Sequence, residues 1–394
     1  MNKKSIKDVD VAGKRVIVRV DFNVPLNKEG QITDDARITG ALPTIKYILD
    51  QKPRVLILMS HLGRPKGEVK PEFSLKPVAE YLNKTIFGGV KLLADCIGDE
   101  VKKAVSQAAD GAVILLENVR FHKAETKNDP IFAKSLAELA DVYVNDAFGS
   151  AHRAHASTEG ITKYLPAVAG FLLAKEIEFF DKVLSNPERP FVAILGGAKV
   201  SDKITVIENL LEKVNTLLIG GGMAYTFLKT QGHTIGNSKL DAESLAIAQT
   251  LLVKAKEKNV TLLLPQDHVV GNEFSEQAQA KGADIDIEDG WMGLDIGPKT
   301  VAAFKEVIKG AKTIVWNGPL GVFEFEKFKG GSEAIAQCIA ASSAMSIIGG
   351  GDTAAAIKAF GLEDKMSHIS TGGGASLEYL EGKMLPGIAA LNDK

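Results

Sequence analysis

Short apolar runs recur along the first half of the chain, and each run ends in a polar or glycine-bearing loop. The runs contain β-branched residues or leucine at nearly every position, which is typical of strands buried on both faces of a parallel sheet. Segments with helix-like spacing follow the loops, so the pattern predicts βα alternation. The runs are Arg15 to Val20, Val55 to Met59, Val113 to Leu116 and Val142 to Val144.

The second half repeats this pattern with more glycine in its loops. Repetition within each half predicts an α/β fold of two doubly wound, Rossmann-like parallel-sheet domains. In such domains ligands bind beyond the carboxyl ends of the strands. The runs and the loops after them are Phe191 to Leu195 before GGAK, Leu217 to Ile219 before GGGMA, Thr313 to Trp316 before NGPLG, Met345 to Ile348 before GGGDT, and His368 to Ser370 before TGGG.

A segment between the two halves has the apolar spacing of a helix. Ala174 to Leu184 reads AKEIEFFDKVL and has prolines on both sides. We interpret residues 171–185 as a helix that joins a domain over 1–170 to a domain over 186–374. No low-complexity linker separates the halves, so we expect a stiff connection.

Composition and charge narrow the classes of protein. The chain has 394 residues, of which 45% are hydrophobic and 24% charged, with a formal net charge of -2. These values are typical of a globular protein with two cores, and they argue against nucleic acid as a partner. No apolar run is long enough for a membrane span, so we expect a cytoplasmic protein. Cys96 and Cys338 lack metal-ligand spacing, and we interpret them as small buried residues rather than a disulfide.

Cations or amide donors follow every predicted strand of the first half. An arginine guanidinium donates two parallel hydrogen bonds to a phosphate or carboxylate. Several such loops that converge at one edge of a sheet therefore predict an anion-binding site. The alternative interpretation is a set of scattered surface arginines. The residues are Asp21, Phe22 and Asn23, then His61 and Arg64, then Arg120, then His152 and Arg153, with Arg37 able to join them.

Four histidines between His61 and His155 raise the question of a metal site. None stands beside a cysteine or carboxylate at ligand spacing. We therefore interpret these histidines as hydrogen-bonding groups rather than metal ligands.

Glycine-rich loops of the second half predict a phosphate site. Unblocked backbone N–H groups and helix N-termini favour polyphosphate, as in GGGDT and TGGG. Asp352 could cap a helix from Thr353 or hold a magnesium ion on the phosphates. Lys199 and Lys203 share one face if their segment is helical, where a bound polyanion would relieve their repulsion. A solvated surface is the alternative interpretation of that pair.

A dinucleotide site is the competing interpretation of these glycines. Gly349, Gly351 and Ala354 satisfy GxGxxG/A, but no acid stands where the next strand ends to bind a ribose. A nicotinamide-dependent dehydrogenase is therefore disfavoured, and a catalytically silent anion-binding protein remains a second alternative. The chain contains no GxxxxGK[ST], so ATP would have to bind without a Walker A loop.

Taken together, seven ordered motifs resemble the phosphoglycerate kinase family, from about Arg15 to the C-terminus. Gln266 and His268 depart from the family's more apolar pattern, at no catalytic position. The motifs are RVDFNVP (Arg19 to Pro25), SHLGRP (Ser60 to Pro65), NDAFGSAHRAHAST (Asn145 to Thr158), LGGAKVSDKI (Leu195 to Ile204), WNGPLGVFE (Trp316 to Glu324), GGGDT (Gly349 to Thr353) and STGGGASLE (Ser370 to Glu378).

This resemblance implies a set of site residues. Residues implied to bind 3-phosphoglycerate are Asp21, Phe22, Asn23, Arg37, His61, Leu62, Gly63, Arg64, Arg120 and Arg153. Residues implied to bind the nucleotide are Ala198, Lys203, Gly293, Leu294, Asn317, Pro319, Glu324, Gly350, Gly351, Asp352 and Thr353, with Glu324 at the ribose and Asp352 at Mg²⁺. Residues implied to act in catalysis are Arg37, Lys199, Lys203, Gly372 and Gly373.

The implied reaction is reversible, Mg²⁺-dependent in-line transfer from 1,3-bisphosphoglycerate to ADP, giving 3-phosphoglycerate and ATP in glycolysis. Both acceptors are already ionised, so no general base is needed and catalysis is expected to come from positioning and charge stabilisation. The resemblance also implies a monomer whose residues 375–394 pack back on the first domain. We expect hinge bending around Ala174 to Leu184 and Thr371 to Gly374.

Overall fold

The computed structural model describes residues 2–86 and 89–394. The chain divides into two compact units. The first unit contains Met1–Glu178 and Met384–Lys394, and the second contains Phe179–Lys383.

The first unit is built on six strands that all pair in parallel. Their order across the sheet is β3-β4-β2-β1-β5-β6. The strands are β1 (Arg15–Val20), β2 (Val55–Met59), β3 (Lys91–Leu92), β4 (Ala112–Leu115), β5 (Val142–Asp146) and β6 (Ala167–Ala169). The helices of this part of the chain are α1 (Ala36–Asp50), α2 (Lys76–Thr85), α3 (Asp99–Ser106), α4 (Lys123–Thr126) and α5 (Pro130–Ala137).

Helix α6 (Phe171–Ser185) follows, and the division between the units falls within it. It is the helix predicted over Ala174 to Leu184. Asp146, at the end of β5, fixes its start, because Asp146 Oδ1 accepts from Leu172 N–H at 2.9 Å and from Leu173 N–H at 3.2 Å. These bonds satisfy donors that the first turn of a helix leaves unpaired.

The second unit contains a six-stranded parallel sheet of order β15-β14-β13-β7-β8-β9. Its strands are β7 (Phe191–Leu195), β8 (Thr216–Ile219), β9 (Thr261–Leu263), β13 (Thr313–Asn317), β14 (Met345–Gly349) and β15 (His368–Ile369). Its helices are α7 (Ile204–Leu211), α8 (Ala224–Thr230), α9 (Leu245–Glu257), α10 (Pro298–Gly310), α11 (Gly330–Ala340), α12 (Gly351–Ala359) and α13 (Gly374–Leu380).

A small antiparallel sheet was not predicted. It contains β10 (Asp267–Gly271), β11 (Ala280–Asp284) and β12 (Met292–Ile296), in the order β11-β10-β12. β11 is largely exposed and reads AKGAD. Such a sequence has little strand propensity by itself, so pairing with the buried β10 decides its conformation.

The last residues, including helix α14 (Pro386–Ala389), belong to the first unit. Asn145 Nδ2 donates to the Gly387 carbonyl at 3.0 Å, and Asn392 Oδ1 accepts from Ala167 N–H at 2.8 Å. This segment is shorter than the expected 375–394. Helix α13 stays in the second unit, where Tyr379 Oη donates to Asp181 at 2.8 Å.

The observed architecture agrees with the predicted fold class of two doubly wound parallel-sheet domains. Nine predicted strands are present, with ends that differ by at most two residues. Across residues 2–86 and 89–394, the helices are all too short or too polar to cross a membrane.

Candidate active site

The predicted anion-binding side chains of the first unit lie at one edge of its sheet. β1, β2, β4 and β5 are adjacent and parallel, so the loops after them meet at the carboxyl edge. Arg37 reaches the same edge from the first turn of α1. We call this set the anion cluster: Asp21, Asn23, Arg37, His61, Arg64, Arg120 and Arg153.

Hydrogen bonds tie three of these loops together. Arg37 Nη1 donates to the Asn23 carbonyl at 2.8 Å and lies 3.4 Å from Asp21 Oδ1. Asn23 Oδ1 accepts from Gly63 N–H at 2.8 Å, and Arg120 Nη1 donates to the Gly63 carbonyl at 3.2 Å. The loops after β1, β2 and β4 therefore form one preorganised edge.

Arg120 carries the clearest sign of a ligand. Burial, followed by the positive charge of Arg19, lowers the pKa of Arg120 to about 10, so it remains a cation at neutral pH. Its Nε–H is buried and makes no hydrogen bond with any part of the chain that the structure describes. Buried donors are rarely left unpaired, so an oxygen from a ligand is the natural partner. Arg64 and Arg153 are exposed at the same edge.

Two residues implied to contact the substrate place their side chains in the core instead. Phe22 and Leu62 are 0% and 3% exposed. The Phe22 N–H donates to Ser60 Oγ at 2.8 Å. If either residue contacts the substrate, it would therefore have to do so through its remaining backbone groups.

The sequence reasoning missed a buried polar network behind the anion cluster. Arg19 lies inside β1 and is fully buried, next to His61, Ser157 and Glu125. A signal was present, because an arginine inside the apolar run RVIVRV has no solvent-facing role in a strand buried on both faces. Its partners could not be read from spacing.

The interpretation of the histidines as hydrogen-bonding groups is supported at His61 and His122, whose ring nitrogens hydrogen-bond to Arg19 and Asp95. The fold brings two of the four beside carboxylates that are distant in sequence: His155 Nδ1 lies 3.3 Å from Glu125 Oε2, and His122 Nε2 lies 2.6 Å from Asp95 Oδ1. Cys96 adjoins Asp95, which makes a group of three potential metal ligands. Burial raises the pKa of the Cys96 thiol well above its usual range, so the thiol stays protonated.

The second unit presents glycine backbone at the carboxyl edge of its sheet. The loops after β7, β8 and β13 interlock, since Gly197 N–H donates to the Pro319 carbonyl at 3.2 Å and Gly221 N–H donates to the Leu320 carbonyl at 3.0 Å. A Cβ at Gly196 would lie 2.0 Å from the Pro319 carbonyl oxygen. Only glycine permits this approach, because no side chain can be accommodated there.

A cavity of about 390 Å³ opens beside these loops. Its volume is in the range of small-molecule sites, and apolar walls combine there with a few polar groups. Six predicted nucleotide residues line it, namely Ala198, Gly293, Leu294, Pro319, Glu324 and Asp352. Tyr225, Lys239, Phe274 and Met292 line it as well and were not predicted.

Glycine at position 293 is required by the cavity wall. A Cβ there would lie 1.8 Å from Tyr225 Oη, and the Gly293 N–H donates to Ser238 Oγ at 2.8 Å. The remaining predicted nucleotide residues stand beside the cavity rather than in its wall: Lys203, Asn317, Gly350, Gly351 and Thr353. Thr353 Oγ1 accepts from Gly318 N–H at 2.7 Å, which joins the loops after β13 and β14.

The two lysines of the first glycine loop differ in environment. The segment from Lys199 to Lys203 is not helical, because α7 begins only at Ile204. The two lysines therefore do not share a helical face, as they would if their segment were a helix. Lys203 is mostly buried and its Nζ donates to Asn317 Oδ1, whereas Lys199 is exposed. Burial is the main cause that lowers the pKa of Lys203 to about 8, against the raising effect of Asp202 and Asp352.

Asp352 lies in the first turn of α12 and lines the cavity, while Gly350 is the N-cap residue. Because Gly350 is the N-cap and Asp352 lies inside the helix, the prediction that Asp352 caps this helix is wrong. In the last glycine loop, Gly372 N–H donates to Ser370 Oγ at 3.1 Å and is therefore already engaged. Gly373 has φ +50 at the start of α13.

Comparisons with known proteins match nearly the whole chain. The family model described as phosphoglycerate kinase matches residues 6–383. A phosphoglycerate kinase of Clostridium perfringens (strain 13 / Type A) is 60% identical over 396 residues, covering 100% of this chain and 99% of the relative. A phosphoglycerate kinase of Clostridium botulinum (strain Hall) is 58% identical over 397 residues, with the same coverage.

Solved structures agree with these relatives. The phosphoglycerate kinase from Coxiella burnetii superposes with a TM-score of 0.90 at 48% identity, covering 98% of each chain. The phosphoglycerate kinase from Pyrococcus horikoshii OT3 superposes with a TM-score of 0.82 at 32% identity, again covering 98% of each chain.

Proposed function

The chain belongs to the phosphoglycerate kinase family, and on that premise we propose that its two α/β units each bind one substrate of the family's reaction. It is a phosphotransferase with a carboxyl group as acceptor. It interconverts 1,3-bisphosphoglycerate and ADP with 3-phosphoglycerate and ATP in glycolysis. The dehydrogenase and the silent binding protein are thereby set aside.

The anion cluster of the first unit binds 3-phosphoglycerate in this proposal. The observation that carries it is the buried, unpaired Nε–H of Arg120 among several cations, in a chain of formal net charge -2. Phosphate and carboxylate groups accept such forked, charge-assisted hydrogen bonds. The exposed Arg64 and Arg153 would close around the ligand, and Asn23 and His61 would supply neutral donors.

The cavity of the second unit binds the nucleotide. Ala198, Gly293, Leu294 and Pro319 supply a largely apolar wall suited to a base, and Glu324 can accept from ribose hydroxyls. The glycine loops after β7, β13 and β14 allow the polyphosphate to approach backbone N–H groups.

The donor set also suits a magnesium ion that accompanies the nucleotide. Mg²⁺ is usually held by one or two carboxylates together with substrate phosphates, and Asp352 offers an exposed carboxylate in the cavity wall. When bound, the ion neutralises charge on the phosphates.

Catalysis then rests on positioned positive charge. The acceptor oxygens are already ionised, so no proton has to be removed. We propose that Arg37, Lys203 and the backbone of Gly373 stabilise the negative charge on the phosphoryl group during its transfer. Lys203 starts partly desolvated, and a neighbouring phosphate favours its charged form. Lys199 is exposed and is assigned a secondary role.

In-line transfer requires the two bound substrates to meet without water, so we also propose that the units close during the reaction. Helix α6 and the segment from Thr371 to Gly374 are the proposed hinges. One chain supplies both sets of site residues, which supports activity as a monomer, and we propose a cytoplasmic location for this glycolytic enzyme.

The proposal that each unit binds one substrate can be tested by measuring ADP formation from ATP and 3-phosphoglycerate with purified protein and Mg²⁺. His61→Phe should raise KM for 3-phosphoglycerate about tenfold and leave KM for ATP within twofold, because the ring is kept and its one N–H donor is lost in the first unit. Glu324→Gln is the matched variant in the second unit and should show the opposite pattern. A rise in KM for the other substrate in either variant would contradict the assignment.

A further inference from the structure

A buried positive charge lies directly behind the anion cluster and needs compensation. Arg19 is 0% exposed, and a buried guanidinium is costly unless it is paired and hydrogen-bonded. Its Nε donates to Ser157 Oγ at 2.9 Å, and one Nη donates to the Val20 carbonyl. These acceptors are neutral, so the balancing negative charge has to come from elsewhere.

Glu125 supplies that charge one hydroxyl away. Its carboxylate is also 0% exposed, and Oε1 accepts from Ser157 Oγ at 2.5 Å. Arginine can only donate and a carboxylate can only accept, so the single hydroxyl hydrogen of Ser157 must point to Glu125. The lone pair of Ser157 is then left for Arg19.

The same logic fixes the protonation of His61. Arg19 Nη2 lies 3.0 Å from His61 Nδ1. Since the guanidinium cannot accept, Nδ1 must accept and the ring proton must be on Nε2. Burial, followed by the charges of Arg19 and Arg120, lowers the pKa of His61 well below its usual range, so the ring is neutral.

We propose that Glu125 is a positioning residue for the first substrate: acting through Ser157 and Arg19, it holds His61 as the neutral Nε2–H tautomer, so that the bound anion meets a donor. The other ring tautomer would present a lone pair to the anion and repel it. His155 Nδ1 lies 3.3 Å from Glu125 Oε2, but neither atom makes a hydrogen bond within the described residues. The inference rests on the proposed function, in which His61 contacts 3-phosphoglycerate.

Glu125→Gln and Ser157→Ala break the network at two points. We expect both variants to raise KM for 3-phosphoglycerate about tenfold, the size of one lost hydrogen bond to a charged group, with KM for ATP within twofold. In protein labelled with ¹⁵N-histidine, ¹H–¹⁵N correlation spectra between pH 6 and 8 should show pure Nε2–H for His61 in the parent and a mixture of tautomers in both variants.

Ser150→Ala is the matched control, because Ser150 Oγ lies 3.4 Å from the same Arg19 Nη2 and has no hydrogen bond to Glu125. It should leave the His61 spectrum unshifted. Unchanged tautomers in both network variants would overturn the proposal, and so would a rise in KM without a change of tautomer. If Glu125→Gln does not fold, Ser157→Ala decides alone.

The proposed function can fail separately. If His61→Phe leaves KM for 3-phosphoglycerate unchanged while the network variants still shift the tautomer, the contact between His61 and substrate is wrong. The coupling of Glu125 to His61 would then stand without a role in binding.

Discussion

The two units share a six-stranded parallel sheet but present different chemistry at its carboxyl edge. Each has a six-stranded parallel sheet with its candidate site on the loops at the carboxyl ends. The first unit offers charged side chains, and the second offers glycine backbone around a cavity, with the partly buried Lys203 beside it. A site built from side-chain cations needs buried negative charges such as Glu125 to compensate it. A site built from glycine loops instead needs backbone packed so closely that even a methyl side chain would not fit.

Lys203→Ala removes a partly buried cation at the glycine edge and should have the largest effect. We expect kcat to fall about a hundredfold or more, the usual loss for one preorganised donor at developing charge. Lys199→Ala, four residues away and exposed, should cost less than tenfold in kcat. Equal losses in the two variants would mean that burial does not distinguish them, and steady-state kinetics decides.

Gly221→Ala tests whether the glycine loops of the second unit have to pack backbone against backbone. Gly221 has φ +65, and a Cβ would lie 2.7 Å from Gly197 N and 2.9 Å from the Pro319 carbonyl oxygen. We expect unfolding free energy to fall by about 2–3 kcal/mol and KM for ATP to rise about tenfold, because the loops must separate.

Gly232→Ala is the control for that comparison. Gly232 has φ +93, and a Cβ there would meet no atom within 4 Å, so only backbone strain of about 1–2 kcal/mol is expected. Its KM for ATP should not change. Denaturant unfolding and steady-state kinetics on both variants separate the effect of backbone strain from that of steric contact between the loops. A rise of KM for ATP in Gly232→Ala would refute the steric explanation.

Asp295→Asn tests a feature that the units share. Burial raises the pKa of Asp295 to about 7, and the same cause raises the pKa of Asp146 to about 7 in the first unit. Both folded pKa values exceed the ordinary aspartate value of 3.8, so the folded protein holds these protons more tightly. Each group therefore contributes stability below pH 4 that is lost as pH rises from about 4 to 7.

The expected effect of Asp295→Asn is a shallower fall of unfolding free energy between pH 5 and 7, by up to about 1.4 kcal/mol per pH unit. Asp146→Asn should flatten the profile similarly and serves as the matched variant in the other unit. Denaturant titrations at several pH values measure the slope. A slope unchanged in both variants would show that neither carboxyl is protonated in the folded state at pH 5.

Much of the site could be predicted because its residues directly follow strands. Asp21, His61 and Arg120 stand where apolar runs end, and parallel strands bring such ends to one edge. The glycine loops were found in the same way. The exposure of Lys199 and the tyrosine in the cavity wall were not predicted, because neither burial nor cavity shape follows from a local pattern.

The sequence by itself determined the fold class, the positions of most strands and the motifs of a phosphoglycerate kinase, because periodicity and turn residues act over a few positions. Only the tertiary structure decided which charges are buried together. Ser157 bonds to Arg19 across 138 positions and to Glu125 across 32. Such pairings depend on how distant segments pack. Burial then lowers the pKa of Lys203, and the packing of Arg19 against His61 Nδ1 selects the tautomer of that ring.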